Sequence, residues 1–416
     1  RLNRVLIAEQ DLLGSEGGFI YGDLTRLPMW KPGLTARLLE TQAGGKPRVI
    51  FAAAAHKPWT FSLLPAPELR LIYASSIASG ASVWYGITPF ELRQPEMAAI
   101  GEMNHLVARN SEYFQDTRSE ARMALVWSDT TANFYAGADA QLIDIDRAAQ
   151  ASEVGNLDAE FSGFAEALIR SQTPFDVIDD TTLEKEPLGR YAAIYLPNVA
   201  CMSDAAARRL REYVKGGGNL IASFETSLYD DAGVRRADFA LADVLGLSDA
   251  RRIAGPRRWD FMKPLAGDPL LQGLEREILP SPTYYVRTKP GAGRVLVRFN
   301  LPLAGRYDGV PALSDDPAMV VHRYGQGTVL YSSGDIGAMI QNYKTPELLQ
   351  LLANTVRLWG RPPLELENAP SSVEVTLRSQ LQGRRLLLHL VNFTGEMTRP
   401  IRRILPVENL RIRLAL

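Results

Sequence analysis

A stretch near the beginning of the sequence, Ala8–Asp23, concentrates acidic, glycine and aromatic residues. Cleavage of a glycosidic bond needs a carboxylic acid that protonates the departing oxygen, usually with a carboxylate on the other face of the sugar. Glycines let the backbone approach a ligand closely, and aromatic rings can cover sugar faces. We therefore predict that Glu16, between Ser15 and a glycine pair, is a catalytic acid/base and that Glu9 contacts substrate. The alternative is a solvated acidic loop that caps helices.

Two further segments offer residues that could contact a sugar. His56 and Trp59 follow the strand-like run Val49–Ala54, where an imidazole could bind a hydroxyl group and an indole could stack on a sugar face. The alternative is a histidine satisfied by a backbone carbonyl and a buried tryptophan. Trp84 and Tyr85 are neighbours in the next strand, so they point to opposite faces. Tyr85 is predicted to contact substrate, although the sequence does not show which of the two points inward.

Two other motifs are weaker. The run Lys215–Asn219 follows a helical segment and precedes a strand-like one, whereas a phosphate loop follows a strand and opens a helix. It is predicted to be a helix C-cap and a turn. Cys201 lies between a strand and a helix, but Ala200 and Met202 do not supply the small residues of a nucleophile elbow. A Cys–His hydrolase built on Cys201 and His322 is therefore disfavoured.

The elements that must position the candidate residues alternate between strand and helix in residues 1–117. Strand-like runs at Val5–Ala8, Val49–Ala54 and Ser82–Ile87 are each followed by a loop and a helical run, which is typical of a parallel α/β sheet. The loops after strands are long and functional, and the turns before strands are short and glycine-rich, as in a (β/α)8 barrel. Residues 1–117 are predicted to be the C-terminal part of a TIM barrel whose other strands precede Arg1.

Two more regions follow this one. Residues 118–362 alternate again, with a helix at Ser203–Lys215 that Ser203 caps, and they predict a doubly wound α/β domain. Arg361–Pro363 reads as a stiff linker. Residues 363–416 have alternating runs without a helical period and are predicted to begin an antiparallel, sandwich-type β-domain. The chain stops in the strand-like run Arg411–Leu416, so we expect a piece of a longer polypeptide.

Composition limits the partners. The 46 Lys+Arg nearly balance the 47 Asp+Glu, giving a net charge of −1, so the chain lacks the positive field expected of a nucleic-acid or lipid-surface binder. This balance of charges favours a neutral ligand over nucleic acid or an anionic lipid surface. One cysteine and four histidines leave little material for a disulfide framework or a metal site, and no cofactor is predicted. No apolar run of about 18 residues occurs, which argues against a membrane span.

The middle region resembles a known domain. Glu212–Ile221, preceded by Tyr191–Pro197 and followed by Ala242–Leu247, is similar to the trimerisation domain of bacterial β-galactosidases. That resemblance implies a flavodoxin-type, amidotransferase-like sheet without the amidotransferase nucleophile. It also implies assembly into a homo-oligomer, a dimer or a trimer.

The other two regions carry resemblances as well. Gly80–Pro89, Pro95–Glu102 and Asn110–Tyr113 are similar to the last barrel strand and closing helix of α-L-fucosidases, and Leu388–Phe393 resembles the C-terminal β-domain of both groups. β-Galactosidases of this architecture carry a nucleophilic glutamate after a late barrel strand. The corresponding run here, Phe51–His56, contains no acid, which favours the fucosidase-like arrangement.

These observations and resemblances predict a multidomain glycoside hydrolase that cleaves a terminal sugar, an α-L-fucoside in the preferred interpretation, and the resemblance implies cleavage with retention. Glu16 would be the acid/base, and the nucleophile would come from an upstream strand. A β-galactosidase-like hydrolase and a non-catalytic carbohydrate-binding or assembly protein with a degenerate barrel are the alternatives. An amidotransferase-like enzyme centred on Cys201 is a third.

Overall fold

The chain folds into two compact units. The terminal unit comprises Leu2–Ala121, Ile169–Val177 and Pro362–Leu416, and the central unit comprises Arg122–Leu168 and Ile178–Arg361. No helix among the described residues is long and apolar enough to cross a membrane. The computed structural model describes residues 6–22, 24, 27–59, 61–135, 154–265, 267–305, 307–361, 364–381 and 384–414.

The first part of the terminal unit is a parallel sheet with helices between its strands. The strands β1, β2 and β3 pair in that order, each parallel to the next. A proline stands in the first turn of α1 and of α2, where the missing backbone N–H has no intrahelical partner to lose. The elements are β1 Leu13–Tyr21, α1 Lys31–Gln42, β2 Arg48–Lys57, α2 Ala66–Ala78, β3 Ser82–Gly86, α3 Met97–Arg109 and β4 Arg118–Ser119.

The predicted first strand and its loop are wrong. Residues 6–8 of the predicted strand Val5–Ala8 are helical, and Val5 lies outside the described residues. The segment predicted as a loop instead contains β1, Leu13–Tyr21. The four glycines of the segment Ala8–Asp23 are typical of a loop, because glycine weakens a strand interior.

The glycines of β1 are required by close packing. A Cβ atom on Gly17 would lie 2.8 Å from the Cβ of Thr35 in α1, and one on Gly18 would lie 2.4 Å from the Cβ of Ala52 in β2. Larger residues would hold β1 away from its neighbours. Close packing therefore requires glycine at these two positions of the strand, and the glycines do not mark a loop.

The central unit is a mixed α/β layer built on a large sheet. Its helices are α4 Asp129–Phe134, α5 Leu157–Arg170, α6 Asp180–Lys185, α7 Asp204–Lys215, α8 Ala242–Leu245, α9 Ile336–Tyr343 and α10 Pro346–Trp359. Its strands are β5 Met123–Val126, β7 Ala193–Leu196, β8 Asn219–Ser223, β9 Leu247–Ser248, β10 Ile253–Ala254, β11 Phe261–Pro264, β12 Leu279–Pro280, β13 Tyr285–Val286, β14 Lys289–Pro290, β15 Arg294–Asn300, β16 Leu313–Tyr324 and β17 Gly327–Ser332. The strand β6, Phe175–Ile178, has its first three residues in the terminal unit.

The sheet of the central unit combines parallel and antiparallel pairs. Its strand order within the unit is β12-β11-β15-β16-β17-β8-β7-β5. The strands β17, β8, β7 and β5 pair in parallel, and β11, β15, β16 and β17 pair antiparallel.

The predicted cap of helix α7 is confirmed, because Ser203 Oγ accepts a hydrogen bond from the Ala206 backbone at 3.1 Å.

The last part of the chain is an antiparallel β-domain, as its alternating pattern predicts. Its strands are β18 Leu364–Glu367, β19 Val373–Gln380, β20 Arg385–Asn392 and β21 Arg411–Leu414. β19 pairs with β20 and with β4, and β18 pairs with β21. The linker residues Pro362 and Pro363 lie outside the described residues, and the three-domain division at 117 and 362 stays a prediction.

The strand β19 is buried along its whole length. Its apolar face contributes Val375 and Leu377 to a small core. Its polar face packs inside the terminal unit, where Glu374 binds Arg37 of α1 at 2.7 Å and Ser75 of α2 at 3.1 Å. The β-domain and the helices of the parallel sheet are therefore joined by buried polar contacts.

Candidate active site

Glu16 lies in the middle of β1 at a β-bulge. Between the pairs Ser15–Ile50 and Gly18–Ala52, two residues of β1 stand opposite one residue of β2. Bulges occur beside active sites because the extra residue re-aims a side chain. The side chain of Glu16 is exposed, and within the part of the chain that the structure describes it makes no hydrogen bond or ion pair. Its carboxyl group is thus available to a ligand.

The face of the sheet that carries Glu16 also carries two aromatic rings. Gly14 and Glu16 share a face because side chains alternate along a strand. A Cβ atom on Gly14 would lie 2.6 Å from Cζ of Phe51, so the ring of Phe51 covers the same face. The ring of Phe51 meets Trp84 edge to face at 5.2 Å, and Trp84 is 58% exposed. An unpaired carboxyl group and an exposed indole therefore share one open face.

Tyr85, a predicted substrate contact, lies on the opposite face of the sheet. Its ring is buried with Ile72 and Tyr73 of α2, and its hydroxyl donates to the Leu69 carbonyl at 2.8 Å. Burial raises the pKa of Tyr85 well above the ordinary tyrosine value. The structure gives Tyr85 a packing position against the helix, and it brings Trp84 rather than Tyr85 to the face of Glu16.

His56 and Trp59 lie together at the carboxyl end of β2. His56 pairs with Ile20 near the end of β1, and its Nε2 is 2.8 Å from the Gly22 carbonyl oxygen. The imidazole meets Trp59 edge to face at 5.0 Å, and Trp59 is 60% exposed. The indole is therefore available at this end of the sheet, whereas one nitrogen of the imidazole is already occupied. Their roles as substrate contacts stay predictions.

Glu9 is not placed with these residues. It is exposed and precedes β1, whose first residue, Leu13, pairs with Arg48 at the amino end of β2. His56 is near the other end of that strand. Because β1 and β2 are parallel, Glu9 lies at the edge of the sheet where barrel enzymes do not carry their chemistry. Its contact with substrate also stays a prediction.

Additional aromatic residues near the carboxyl ends of β2 and β3 were missed from the sequence. Phe61 and Phe90 meet edge to face at 5.1 Å and are 64% and 53% exposed, and Leu92 is 60% exposed. Phe61 and Phe90 lie in turns after β2 and β3, and Leu92 lies in the short 3-10 helix Glu91–Arg93, where a large exposed apolar residue has no core to fill. That position was the available signal, because functional side chains concentrate in such loops.

The central unit does not activate its cysteine. Cys201 is fully buried, and burial together with Asp180 and Asp230 raises the pKa of its thiol to about 12. His322 directs Nδ1 to the Val244 carbonyl at 3.0 Å. The thiolate is disfavoured at neutral pH, which agrees with the missing nucleophile elbow.

No group of three or more histidine, cysteine, aspartate or glutamate side chains is placed to hold a metal ion among the described residues.

Comparison with known proteins reveals the fold. A family model described as GLMA-like, second domain, matches residues 146–265. The α-L-fucosidase isoenzyme 2 from Paenibacillus thiaminolyticus superposes with a TM-score of 0.73 at 19% identity, over 99% of this chain and 59% of that one. A β-galactosidase from Bacillus circulans sp. alkalophilus gives 0.72 at 16% identity, over 99% and 61%. The cold-adapted β-galactosidase from Rahnella sp. R3 gives 0.68 at 14% identity, over 98% and 61%.

The chain has the fold of these glycosidases. The resemblance to multidomain glycoside hydrolases of the fucosidase and β-galactosidase type, predicted from the sequence, is confirmed at that level. The chain spans about six-tenths of the length of the structures it matches.

Proposed function

We propose that this chain is part of a glycoside hydrolase and that Glu16 is its acid/base. The observation that carries the proposal is the open face of the parallel sheet, where the exposed Glu16, which has no partner among the described residues, shares a face with Phe51 and Trp84. A carboxyl group beside aromatic rings suits an enzyme that holds a sugar and protonates its glycosidic oxygen. The shared fold with known glycosidases supports the same reaction class.

We further propose that β1, β2 and β3 are the last strands of a (β/α)8 barrel. Parallel sheets are normally covered on both faces, yet here the buried residues face α1 and α2 while Trp84 on the other face is exposed. Barrel closure by strands from another part of the polypeptide would cover that face and pair the free edge of β1. The face of Glu16 would then be the interior of the barrel.

The reaction would proceed with retention, as the resemblance implies. A retaining enzyme needs a second carboxylate about 5 Å from the acid/base, which attacks the anomeric carbon and forms a glycosyl–enzyme intermediate. Glu16 would give its proton to the leaving oxygen and then accept a proton from the attacking water. The nucleophile would be supplied by an earlier barrel strand.

For the sugar we propose an α-L-fucoside, with a β-galactoside as the alternative. The carboxyl end of β2 bears His56 and Lys57 and no acid, where the β-galactosidase resemblance requires a nucleophilic glutamate. The comparisons support both sugars, because the fucosidase and a β-galactosidase match this chain with nearly equal TM-scores. We assign the central unit a role in assembly into a dimer or trimer, on the sequence resemblance described above.

The test is Glu16→Gln in the protein as its gene encodes it. Glutamine keeps the shape of the side chain but cannot donate the proton, so hydrolysis of unactivated fucosides or galactosides should fall by roughly 10²–10⁴-fold. Nitrophenyl glycosides should lose much less, because nitrophenolate leaves without full protonation. Turnover of both substrate types is measured side by side.

Glu102→Gln is the matched control. Glu102 is an exposed glutamate of α3 that pairs with Arg70 at 2.6 Å, away from the open face, and its loss should leave both rates unchanged. Equal losses on activated and unactivated substrates in Glu16→Gln would reject the acid/base role. A wild-type protein that binds glycosides without turning any of them over would instead favour a non-catalytic module.

A further inference from the structure

A cleft in the central unit is lined by arginines. It has a volume of about 660 Å³, within the range of small-molecule sites. The cleft opens beyond the carboxyl end of β8, the side on which open α/β sheets bind ligands. Its lining consists of Glu225, Tyr229, Arg235, Ala250, Arg251, Arg252, Ile253 and Arg287.

Two of the four guanidinium groups are already paired with acids. Arg251 binds Asp249 at 2.7 Å, and Arg287 lies 3.4 Å from Asp316. In contrast, Arg252 makes no ion pair with any residue that the structure describes. The charge of Arg252 is therefore not neutralised by any described residue of the cleft.

Arg235 has no acidic partner within hydrogen-bonding distance among the described residues, although its charge attracts the Glu225 carboxylate of the same cleft. Its Nη2 donates to the Arg251 carbonyl at 2.9 Å, which holds the side chain against the wall of the cleft. A carbonyl contact fixes the position of a guanidinium without cancelling its charge. Arg235 and Arg252 together offer two forks suited to an oxyanion.

The buried part of the cleft lining is polar. The carboxyl group of Glu225 is buried and accepts hydrogen bonds from the hydroxyls of Tyr135 and Tyr229, the second at 3.2 Å. The Glu225 backbone N–H donates to the side chain of Asn198 at 3.2 Å. The Tyr229 hydroxyl lies on the cleft wall, where it can bind a hydroxyl group of a ligand.

The backbone around Glu225 adopts a conformation that side chains disfavour. Phe224 and Ser227, on either side of it, have φ values of 52° and 70°, and Asn198 at the end of β7 has 45°. All three are fully buried. Left-handed backbone at non-glycine residues persists only where packing enforces it, and such residues cluster at ligand sites.

We propose that this cleft binds a small organic oxyanion bearing hydroxyl groups, of the sugar phosphate or sugar acid class. Arg235 and Arg252 would hold the phosphate or carboxylate, Tyr229 would bind a hydroxyl, and Ala250 and Ile253 would contact the apolar face of the ligand. The site is separate from Glu16 and does not depend on the proposed hydrolysis, because it is tested by binding alone.

Calorimetric titration of the chain with glucose 6-phosphate, glucuronate, inorganic phosphate and glucose tests the proposal. We expect glucose 6-phosphate or glucuronate to bind, inorganic phosphate to bind more weakly and glucose not to bind. Arg252→Ala should weaken the affinity for the anion by roughly tenfold or more, which is the effect of one charge-assisted hydrogen bond. Arg252→Lys keeps the charge but loses the fork and should also weaken binding.

Arg208→Ala is the matched control, since Arg208 is an exposed arginine of α7 outside the cleft and the variant loses the same charge. Its affinity should equal that of the wild type. Failure of both organic anions to bind at millimolar concentration would overturn the proposal, as would equal weakening in Arg208→Ala and Arg252→Ala. Equal affinity for inorganic phosphate and glucose 6-phosphate would overturn the recognition of hydroxyl groups.

Discussion

At the scale of single residues, the direction of a side chain decides whether it can serve the site. Trp84 and Tyr85 are adjacent, yet Trp84 is 58% exposed while the Tyr85 hydroxyl is bound to the backbone of α2. The residue types alone make both of them reasonable sugar contacts. Strand alternation turns only one of them to the face of Glu16, and the contact of Tyr85 with α2 leaves Trp84 on that face.

Trp84→Ala should weaken the binding of a glycoside substrate. If the indole covers a sugar face, its removal should raise KM by roughly tenfold, the equivalent of about 1.4 kcal/mol of aromatic contact, with a smaller effect on kcat. Initial rates over a range of glycoside concentrations measure both constants.

Trp259→Ala provides the comparison for this variant. Trp259 is a tryptophan of the central unit that is 69% exposed, and the same exchange there should leave KM unchanged. A normal KM in Trp84→Ala would remove Trp84 from the proposed binding face.

At the scale of elements, β19 shows how a polar face can be buried. Arg378 binds Glu40 of α1 through two parallel contacts of 2.8 Å, and its Nε donates to the Thr117 hydroxyl at 2.8 Å. Thr376, two residues earlier, donates to the Ala78 carbonyl at 2.7 Å. An alternating strand commonly leaves its polar face to solvent, whereas here that face is covered by α1 and α2.

Arg378→Lys should make local unfolding of β19 easier. Lysine keeps the charge but cannot make the two-pronged contact with Glu40 or reach Thr117 at the same time. Loss of these charge-assisted hydrogen bonds should lower the free energy of local unfolding of β19 by about 3 kcal/mol. Hydrogen exchange of the β19 amides measures that free energy.

Arg70→Lys is the same exchange in an exposed ion pair, with Glu102. It should cost no more than about 0.5 kcal/mol, because solvent screens such pairs. Similar losses in Arg70→Lys and Arg378→Lys would show that burial does not make the β19 contacts important.

At the scale of the whole molecule, buried acids should make stability depend on pH. Glu160 of α5 is fully buried, and burial raises its pKa to about 7 from the ordinary 4.5. Asp335, also buried, has a pKa raised well above its ordinary value by burial and by the charge of Glu160. The folded chain therefore holds a proton on Glu160 more tightly than the unfolded chain does.

Because the folded chain holds this proton more tightly, its stability should fall as pH rises. The contribution of Glu160 to stability is fully present below the unfolded pKa of 4.5 and is lost as pH rises toward the folded pKa of about 7. Glu160→Gln should remove this loss and stabilise the central unit above about pH 7 by up to about 3 kcal/mol. The Ala338 backbone N–H, which donates to Oε2 at 2.7 Å, can donate to the amide oxygen instead.

Urea unfolding below about pH 5 and above about pH 8 measures the effect. Glu166→Gln on the same helix is the opposite case, because the buried Glu166 has a partner, Lys344, at 2.7 Å, and its neutralisation should destabilise the chain. Unfolding of Glu160→Gln with the same pH dependence as the wild type would contradict the assignment.

The sequence by itself determined the strands and helices that periodicity and caps specify. Helix α7 with its Ser203 cap, the strand β8 after the glycine turn, and the antiparallel strands of residues 363–416 all follow from local pattern. Their residues carry the signal in their own spacing. The resemblance of the chain to multidomain glycosidases was likewise readable from short runs of residues.

Only the tertiary structure decided the face and the setting of each candidate residue. The glycines of β1 suggest a loop until Thr35 and Ala52 are seen to crowd them, and Glu16 comes to share a face with Phe51 and Trp84 through the pairing of three strands. The arginines of the central cleft are drawn together from segments that are far apart in sequence. Such features depend on contacts between distant residues, and a local pattern does not encode them.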